Sequence, residues 1–170
     1  QEAYAAARIH AGLVKSTWYR DVAVLAAHGF GMSDRSGTLT AAKILDAFGS
    51  PSRFATFGSF IRYARLAPEN GKAPRPTRGA VVHYSPKAWQ ALYDLSESWL
   101  KMTSCDWRQK WDAWKEVYRA KYPDEKTHPK MRIHQMGRRK VIREFVHELW
   151  DLWREWEANR APAAVPPVPV

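Results

Sequence analysis

The feature that most constrains the fold is a long helical repeat of apolar residues in the last third of the chain. Residues 130–158 carry a set of apolar side chains that, from Val141 onward, recur at three- and four-residue steps, the spacing that places them on one side of a helix. They are Met131, Met136, Val141, Ile142, Phe145, Val146, Leu149, Trp150, Leu152, Trp153 and Trp156. The first half of this segment is basic and the second half is acidic, so we expect one end of a long C-terminal helix to suit phosphate groups.

The same spacing predicts helices along most of the remaining chain. They cover residues 2–27, as one or two helices, and then residues 39–48, 54–64, 87–102 and 106–120. Ser85 marks the start of the helix over residues 87–102, because serine caps a helix and the proline that follows it fits a first turn. Trp107, Trp111, Trp114 and Tyr118 form an aromatic stripe, which is more often core than a surface for stacking bases.

The sequence therefore predicts an all-α fold of about six helices with almost no strand. At 170 residues, the chain is long enough to form a hydrophobic core. We expect a single helical domain over residues 1–158, followed by a disordered, proline-rich tail over residues 159–170.

The charge balance favours a polyanionic partner. The chain has 27 Lys and Arg against 17 Asp and Glu, a net charge of +10, which attracts nucleic acid or, less often, an acidic membrane or protein surface. Cys105 is the single cysteine and the six histidines are scattered, so we expect neither a disulfide nor a structural metal. No apolar run is long enough to cross a membrane, and we expect a cytoplasmic, reducing location beside the nucleoid.

A basic loop, residues 69–79, follows the short helix over residues 54–64. The helix should stop before Pro68, because the residue ahead of a proline disfavours helical backbone. Glycines and prolines exclude regular structure after it. The basic residues of this region, which we expect to hold a phosphate backbone, are Arg53, Arg62, Arg65, Lys72, Arg75 and Arg78. A solvated surface loop would have the same composition, and the loop alone favours neither interpretation.

Two further segments have features of phosphate contacts. The first half of the long helix has six basic residues and no acid, namely Lys130, Arg132, Arg138, Arg139, Lys140 and Arg143, and we expect the first five to contact phosphates. Gly31, Gly37 and Thr38 flank a polar loop between two predicted helices, which resembles a helix–hairpin–helix device. In such a device, glycines let the backbone approach a phosphate and the amides of the next helix point at it. An ordinary helix cap and loop is the alternative for this segment.

No catalytic constellation is visible in the sequence. A divalent metal for hydrolysis or phosphoryl transfer needs clustered carboxylates, but Asp21, Asp34, Asp46 and Asp94 are isolated. A glycine-rich phosphate loop with its Lys-Ser/Thr is also missing. We therefore expect no metal and no cofactor in this chain, and DNA or structured RNA as its partner.

Three segments carry a resemblance to a known family. The segment Gly37-Thr38-Leu39-Thr40-Ala41-Ala42-Lys43-Ile44-Leu45 is similar to the pattern G-x-I-T-A-A-x-L-L, and Leu66-Ala67-Pro68 is similar to the end of G-L-x-P. His128, Lys130 and the run up to Trp150 resemble a closing H-K…A-x-R-K…L-W helix. These patterns belong to the C-terminal, serine-bearing domain of an insertion-sequence transposase family that includes the bridge-RNA-guided recombinases and the pilin-gene invertases. The resemblance spans residues 29–153 and implies a DNA-binding domain of a transposase or site-specific recombinase.

The chain departs from that family where the chemistry would occur. The nucleophilic serine of the family lies in the loop after Leu-x-Pro, but residues 68–84 contain no serine, and Thr77 is the only hydroxyl before Tyr84. Thr77 is therefore the one weak candidate for a nucleophile. The RuvC-like domain of the family has no counterpart in this chain, so Mg²⁺ is expected only if a separate partner domain supplies it. The resemblance thus implies binding without cleavage.

Two alternatives stay open. The chain could be an active recombinase fragment that a RuvC-like partner domain, or another copy of the chain, completes. It could instead bind structured or guide RNA within a ribonucleoprotein.

Overall fold

The computed structural model describes residues 34–49, 51–69, 71–75, 79 and 81–160, which form five α-helices and one 3₁₀ turn. The helices are α1 (Asp34–Phe48), α2 (Phe57–Tyr63), α3 (Pro86–Lys101), α4 (Asp106–Lys121) and α5 (Lys130–Arg160), and the 3₁₀ turn is Pro51–Arg53. The predicted all-α class is confirmed. The predictions for residues 2–27, Gly31, Thr77, Arg78 and residues 161–170 lie outside the described residues.

Side-chain caps fix where α2 and α3 begin. The Ser85 hydroxyl accepts a hydrogen bond from the backbone N–H three residues on, at 3.1 Å, as the sequence predicts. Thr56 accepts one from the Ser59 N–H at 3.2 Å, and the Ser59 hydroxyl lies 3.3 Å from the Thr56 N–H, which completes a capping box. α2 therefore starts at Phe57 and is shorter than the predicted helix over residues 54–64.

α1 begins earlier than the sequence predicts. It starts at Asp34, whereas a polar loop was expected up to Gly37, with Thr38 or Ser36 as the cap of the next helix. Gly37 and Thr38 therefore lie in the first turns of α1, and the expected loop of a helix–hairpin–helix device is wrong for these two residues. A glycine costs only about 1 kcal/mol in a helix interior. Burial of the apolar side of α1, with Phe48 packed 4.7 Å from another phenylalanine ring, outweighs that cost.

α5 also extends further than expected. It continues to Arg160, so residues 159 and 160 belong to the helix rather than to the proline-rich tail. The first proline after the helix is Pro162. Every residue from Lys130 to Arg160 therefore has a backbone N–H, and none of them directly precedes a proline.

Aromatic side chains fill the centre of the hydrophobic core. α1 packs on α3, α4 packs along α5, and α2 with the 3₁₀ turn contacts α5. Trp99 and Trp107 stack with ring centroids 5.5 Å apart, and Phe145 meets both rings edge-on at 5.5 and 5.6 Å. Trp107 and Trp111 are buried, as the sequence predicts, while the other two members of the α4 stripe are partly exposed. This packing brings the end of α2 against the middle of α5.

Candidate nucleic-acid interface

α2 ends on an arginine in a strained backbone conformation. Arg65 has a φ of 61°, and in the described part of the chain it is the only residue other than glycine with a positive φ. The turn is closed by hydrogen bonds from the Leu66 N–H to the Ile61 carbonyl at 2.8 Å and from the Arg65 N–H to the Arg62 carbonyl at 2.9 Å. Glycine usually occupies this position after a helix, because it has no Cβ to clash. The arginine found there makes several contacts through its side chain.

The side chain of Arg65 ties the basic loop to the end of α2. Its Nε and Nη2 atoms donate to the Pro74 carbonyl at 3.2 and 3.0 Å. Its guanidinium carbon lies 5.0 Å from the ring centre of Tyr84 and 5.5 Å from that of Trp89. The segment after the loop is attached to α2 as well, since the Ser85 N–H donates to the Tyr63 carbonyl at 2.8 Å. The middle of the loop, at Pro74, and the segment that follows the loop are therefore both held beside α2.

Arg139 of α5 contacts the end of α2 at Arg65. Its Nη2 atom donates to the Arg65 carbonyl at 2.6 Å, and its guanidinium carbon lies 6.0 Å from the centre of the Trp89 ring. Burial, together with the neighbouring positive charges of Arg65 and Arg143, lowers the pKa of Arg139 to about 10. The group is still charged at neutral pH. We call Arg65, Arg139 and Arg143 the arginine cluster.

The members of the arginine cluster have no acidic partner among the residues that the structure describes. Within residues 34–160, as far as the structure describes them, no carboxylate forms an ion pair with any of the three. The same holds for three exposed cations around the loop, Arg62, Lys72 and Arg75. Arg62 lies one turn before Arg65 on α2, and Arg75 directly follows Pro74, which Arg65 contacts. We call these three residues and the arginine cluster together the basic face.

The basic run at residues 138–140 does not form one cluster. Consecutive residues of an α-helix point about 100° apart, so three in a row cannot share a side. Arg138 is only 3% exposed; it pairs with Glu97 and lies 4.3 Å from the centre of the Tyr93 ring. Lys140 turns toward α4, where its Nζ lies 3.4 Å from Glu144 and 4.6 Å from the Trp114 ring centre. Of this run, only Arg139 joins the basic face, which corrects the expectation that Arg138 and Lys140 meet phosphates.

Other predicted contact residues have local structural partners. Arg53 donates from Nη1 to the Phe48 carbonyl at 2.9 Å and lies 5.6 Å from the Tyr63 ring centre, so it caps the end of α1. Arg132 donates from Nη1 to the Thr127 carbonyl at 2.8 Å. It precedes Arg139 by seven residues, close to two full turns, and so lies on the same side of α5.

Lys130 lies on the other side of α5 from the basic face. It is exposed and precedes Arg139 by nine residues, which turns the helix by two and a half turns, about 180° from Arg139. Lys130 and Arg139 therefore cannot contact the same stretch of a phosphate backbone.

Arg143 is the functional candidate that the predicted contact set omitted. The signal for it was the four-residue spacing from Arg139, since residues four apart on a helix are neighbours. The predicted contact set also omitted Trp89, which supports the guanidinium groups of Arg65 and Arg139. No spacing in the sequence links these residues to one another, because they come from three different segments.

An open cavity of about 300 Å³ borders the basic face along α5. Its lining residues are Lys140, Arg143, Glu144, His147 and Glu148. The two acids are already engaged, since Glu144 accepts from the Trp114 indole N–H at 2.9 Å and Glu148 accepts from Lys110 at 3.1 Å. The mixed charges of this cavity favour no particular ligand.

Neither a metal centre nor a membrane span is present in the part of the chain that the structure describes. No three His, Cys, Asp or Glu side chains among these residues come together to hold a metal ion. None of the described helices combines the length and the hydropathy that crossing a bilayer requires. Gly31, Thr77 and Arg78 belong to the residues that are not described.

Comparisons with protein-family models, with curated proteins and with solved structures found no match to the chain. The resemblance to transposases therefore depends on the sequence patterns alone, and the geometry of the basic face stands apart from it.

Proposed function

We propose that the chain is a DNA-binding domain that grips the phosphate backbone through the basic face and does not cut it. The observation that carries this proposal is the arginine cluster. Its guanidinium groups come from the end of α2 and from α5, and they meet with no carboxylate partner in the described part of the chain. Like charges held together destabilise the free protein, and a bound phosphate would relieve that repulsion.

The basic face combines fixed and mobile cations. Arg65 and Arg139 are held by hydrogen bonds to carbonyl groups and lie against Trp89, so little of their freedom is lost on binding. A guanidinium held in this way can present two donors to one phosphate. Arg62, Lys72 and Arg75 are exposed and can adjust to a backbone that passes over the loop. Contacts of this kind position a duplex without reading its sequence, so specificity would come from a partner.

Two variants with equal charge loss test the proposal. Arg62→Gln, Arg75→Gln and Arg143→Gln together remove three exposed cations of the basic face. Lys101→Gln, Arg119→Gln and Arg154→Gln together remove three exposed cations elsewhere. By fluorescence anisotropy on a short duplex, the first variant should bind at least tenfold more weakly than the second, a difference of about 1.4 kcal/mol. Equal weakening in the two variants would mean that net charge, rather than this face, holds the DNA.

The alternatives are distinguished by competition and by cleavage assays. A tenfold or greater preference for structured RNA over duplex DNA would favour the ribonucleoprotein alternative. A covalent adduct with supercoiled DNA that is lost in Thr77→Ala would favour the active recombinase fragment. Membership of the transposase family stays a prediction, and the binding proposal does not depend on it.

A further inference from the structure

The arginine cluster concentrates more positive charge than one internal phosphodiester can neutralise. An internal diester carries a single negative charge and exposes two free oxygens. A terminal phosphate monoester carries a charge of about −1.5 to −2 near neutral pH and exposes three acceptor oxygens. Three guanidinium groups that pair with no acid among the described residues match the second ligand better than the first.

The donors needed for such a ligand are available. Arg139 uses Nη2 for the Arg65 carbonyl, and Arg65 uses Nε and Nη2 for the Pro74 carbonyl. The remaining donors are Nε and Nη1 of Arg139 and Nη1 of Arg65. They have no hydrogen-bond acceptor among the residues that the structure describes. Arg143 lies one turn further along α5 and is exposed, so it can close over a ligand from the solvent side.

The indole of Trp89 sets the direction of the two inner groups. Both guanidinium carbons lie within 6.0 Å of its ring centre. Each guanidinium group therefore has a cation–π contact with the same indole. A cation–π contact is weaker than an ion pair and leaves the N–H groups at the edge of the guanidinium free to bind a ligand. Arg138, by contrast, is paired with the carboxylate of Glu97 and has no charge left to offer a ligand.

We propose that the arginine cluster binds the terminal phosphate monoester of a nucleic-acid strand. This proposal rests on the proposed function and adds to it: the exposed cations of the basic face hold the backbone, and the arginine cluster holds the end of a strand. The ligand class is the terminal phosphate, whether it stands at the 5′ or the 3′ end.

The test compares duplexes of one sequence that differ only at their ends. One carries 5′-phosphates, one carries 3′-phosphates, and one carries hydroxyl groups at both ends. Binding is measured by fluorescence anisotropy at a fixed, physiological salt concentration. At least one phosphorylated duplex should bind tenfold or more tightly than the hydroxyl duplex. Inorganic phosphate added at millimolar concentration should reduce that preference.

Single-residue variants assign the preference to the arginine cluster. Arg143→Gln should remove most of it, and because Arg143 is exposed, this variant should fold. Arg139→Lys should remove it while keeping the charge, since an ammonium group lacks the forked donors. Arg154→Gln is the matched control: it lies on the same helix, about 16 Å along the axis from Arg143, and should leave the preference intact.

The outcomes separate this proposal from the proposed function. Equal affinity for all three duplexes, with wild-type binding still strong, would overturn the terminal-phosphate site and leave backbone binding standing. A preference that survives in both Arg143→Gln and Arg139→Lys would overturn the assignment to the arginine cluster. If the wild-type chain binds none of the duplexes, both proposals are wrong.

Discussion

Arg65 has a left-handed backbone, with a φ of 61°, and a guanidinium group that bonds the Pro74 carbonyl. This backbone conformation costs an arginine about 1–2 kcal/mol, and glycine would avoid that cost. The side chain offsets part of that cost, because it holds the basic loop and stacks against Tyr84 and Trp89. Arg65 therefore makes the turn less stable than glycine would, but it holds the basic loop beside α2.

Paired substitutions at Arg65 separate the backbone from the side chain. Arg65→Gly and Arg65→Ala both remove the guanidinium group, but only glycine relieves the left-handed strain. The glycine variant should therefore be more stable than the alanine variant by about 1 kcal/mol. Urea unfolding followed by tryptophan fluorescence measures the difference. The control is Arg62, inside α2, where the order should reverse because alanine favours a helix. The same order at both positions would contradict the turn described for Arg65.

His134 gives the chain a pH-dependent stability. Burial, and then the positive charges of Arg138 and Lys115, lower the pKa of His134 below its ordinary 6.5, against a smaller opposing effect of Glu97. The unfolded chain therefore binds a proton at this residue more readily than the folded chain. Stability from this residue is full above about pH 6.5 and is lost as the pH falls below that value.

The variant His134→Gln tests this dependence. Its free energy of unfolding should fall less than that of the wild type between pH 7 and pH 5.5, a window that lies just around the ordinary pKa of histidine. Denaturant unfolding at several pH values measures the two slopes. Equal slopes in the two proteins would show that other groups cause the loss.

The helices themselves could be predicted from spacing, because each buries one apolar side. α3, α4 and α5 begin within one residue of the predicted positions, and the cap of α3 follows from Ser85. The start of α1 could not be predicted, since Gly37 locally favours a loop while packing of the helix on α3 overrides that preference. Whether a segment is a helix depends on a repeated pattern over many residues, so it can be predicted. Where the helix begins or ends depends on a few residues, so its boundary is harder to predict.

The contact between α4 and α5 depends on a single glycine. A Cβ on Gly137 would lie 3.0 Å from Trp111 Cδ1 and 3.2 Å from its Nε1, and the indole is fully buried and bonded to the His134 carbonyl. Gly137→Val should therefore destabilise the fold by about 1–3 kcal/mol, even though valine favours a helix slightly more than glycine does. Denaturant unfolding measures the loss.

Gly58→Val is the matched control for that substitution. A Cβ at Gly58 meets only the Thr56 hydroxyl, at the ordinary distance of 3.5 Å, so the change in stability should be within about 0.5 kcal/mol. A similar loss at both glycines would mean that close approach of α4 and α5 is not what Gly137 provides.

At the scale of the whole molecule, the sequence indicated a basic protein but not which of its cations act together. The net charge of +10 is read directly from composition. The basic face joins residues 62–75 to Arg139 and Arg143 of α5, which lie far away in the chain, and the link is the bond from Arg139 to the Arg65 carbonyl. The run at residues 138–140 looked like a cluster in sequence, yet its members point to three different parts of the molecule. Tertiary packing, rather than spacing, decides which arginines face solvent.

Of the second predicted basic region, Arg139 meets the first region, whereas Arg138 and Lys140 pair with acids elsewhere and Lys130 lies on the other side of α5. The hydrogen bond of 2.6 Å between Arg139 and the Arg65 carbonyl places the middle of α5 beside the start of the basic loop. A polyanion that follows the loop can therefore reach α5 as well. This continuity is what the central claim requires: that the basic face is one binding surface.

The salt dependence of DNA binding tests that claim most directly. Each phosphate neutralised contributes about −0.9 to the slope of log affinity against log salt, so the six cations of the basic face predict a slope of about −5 for the wild-type chain. Removal of Arg62, Arg75 and Arg143 as glutamine variants should reduce it to between about −2 and −3. A wild-type slope shallower than about −2, or an unchanged slope in the triple variant, would contradict the account.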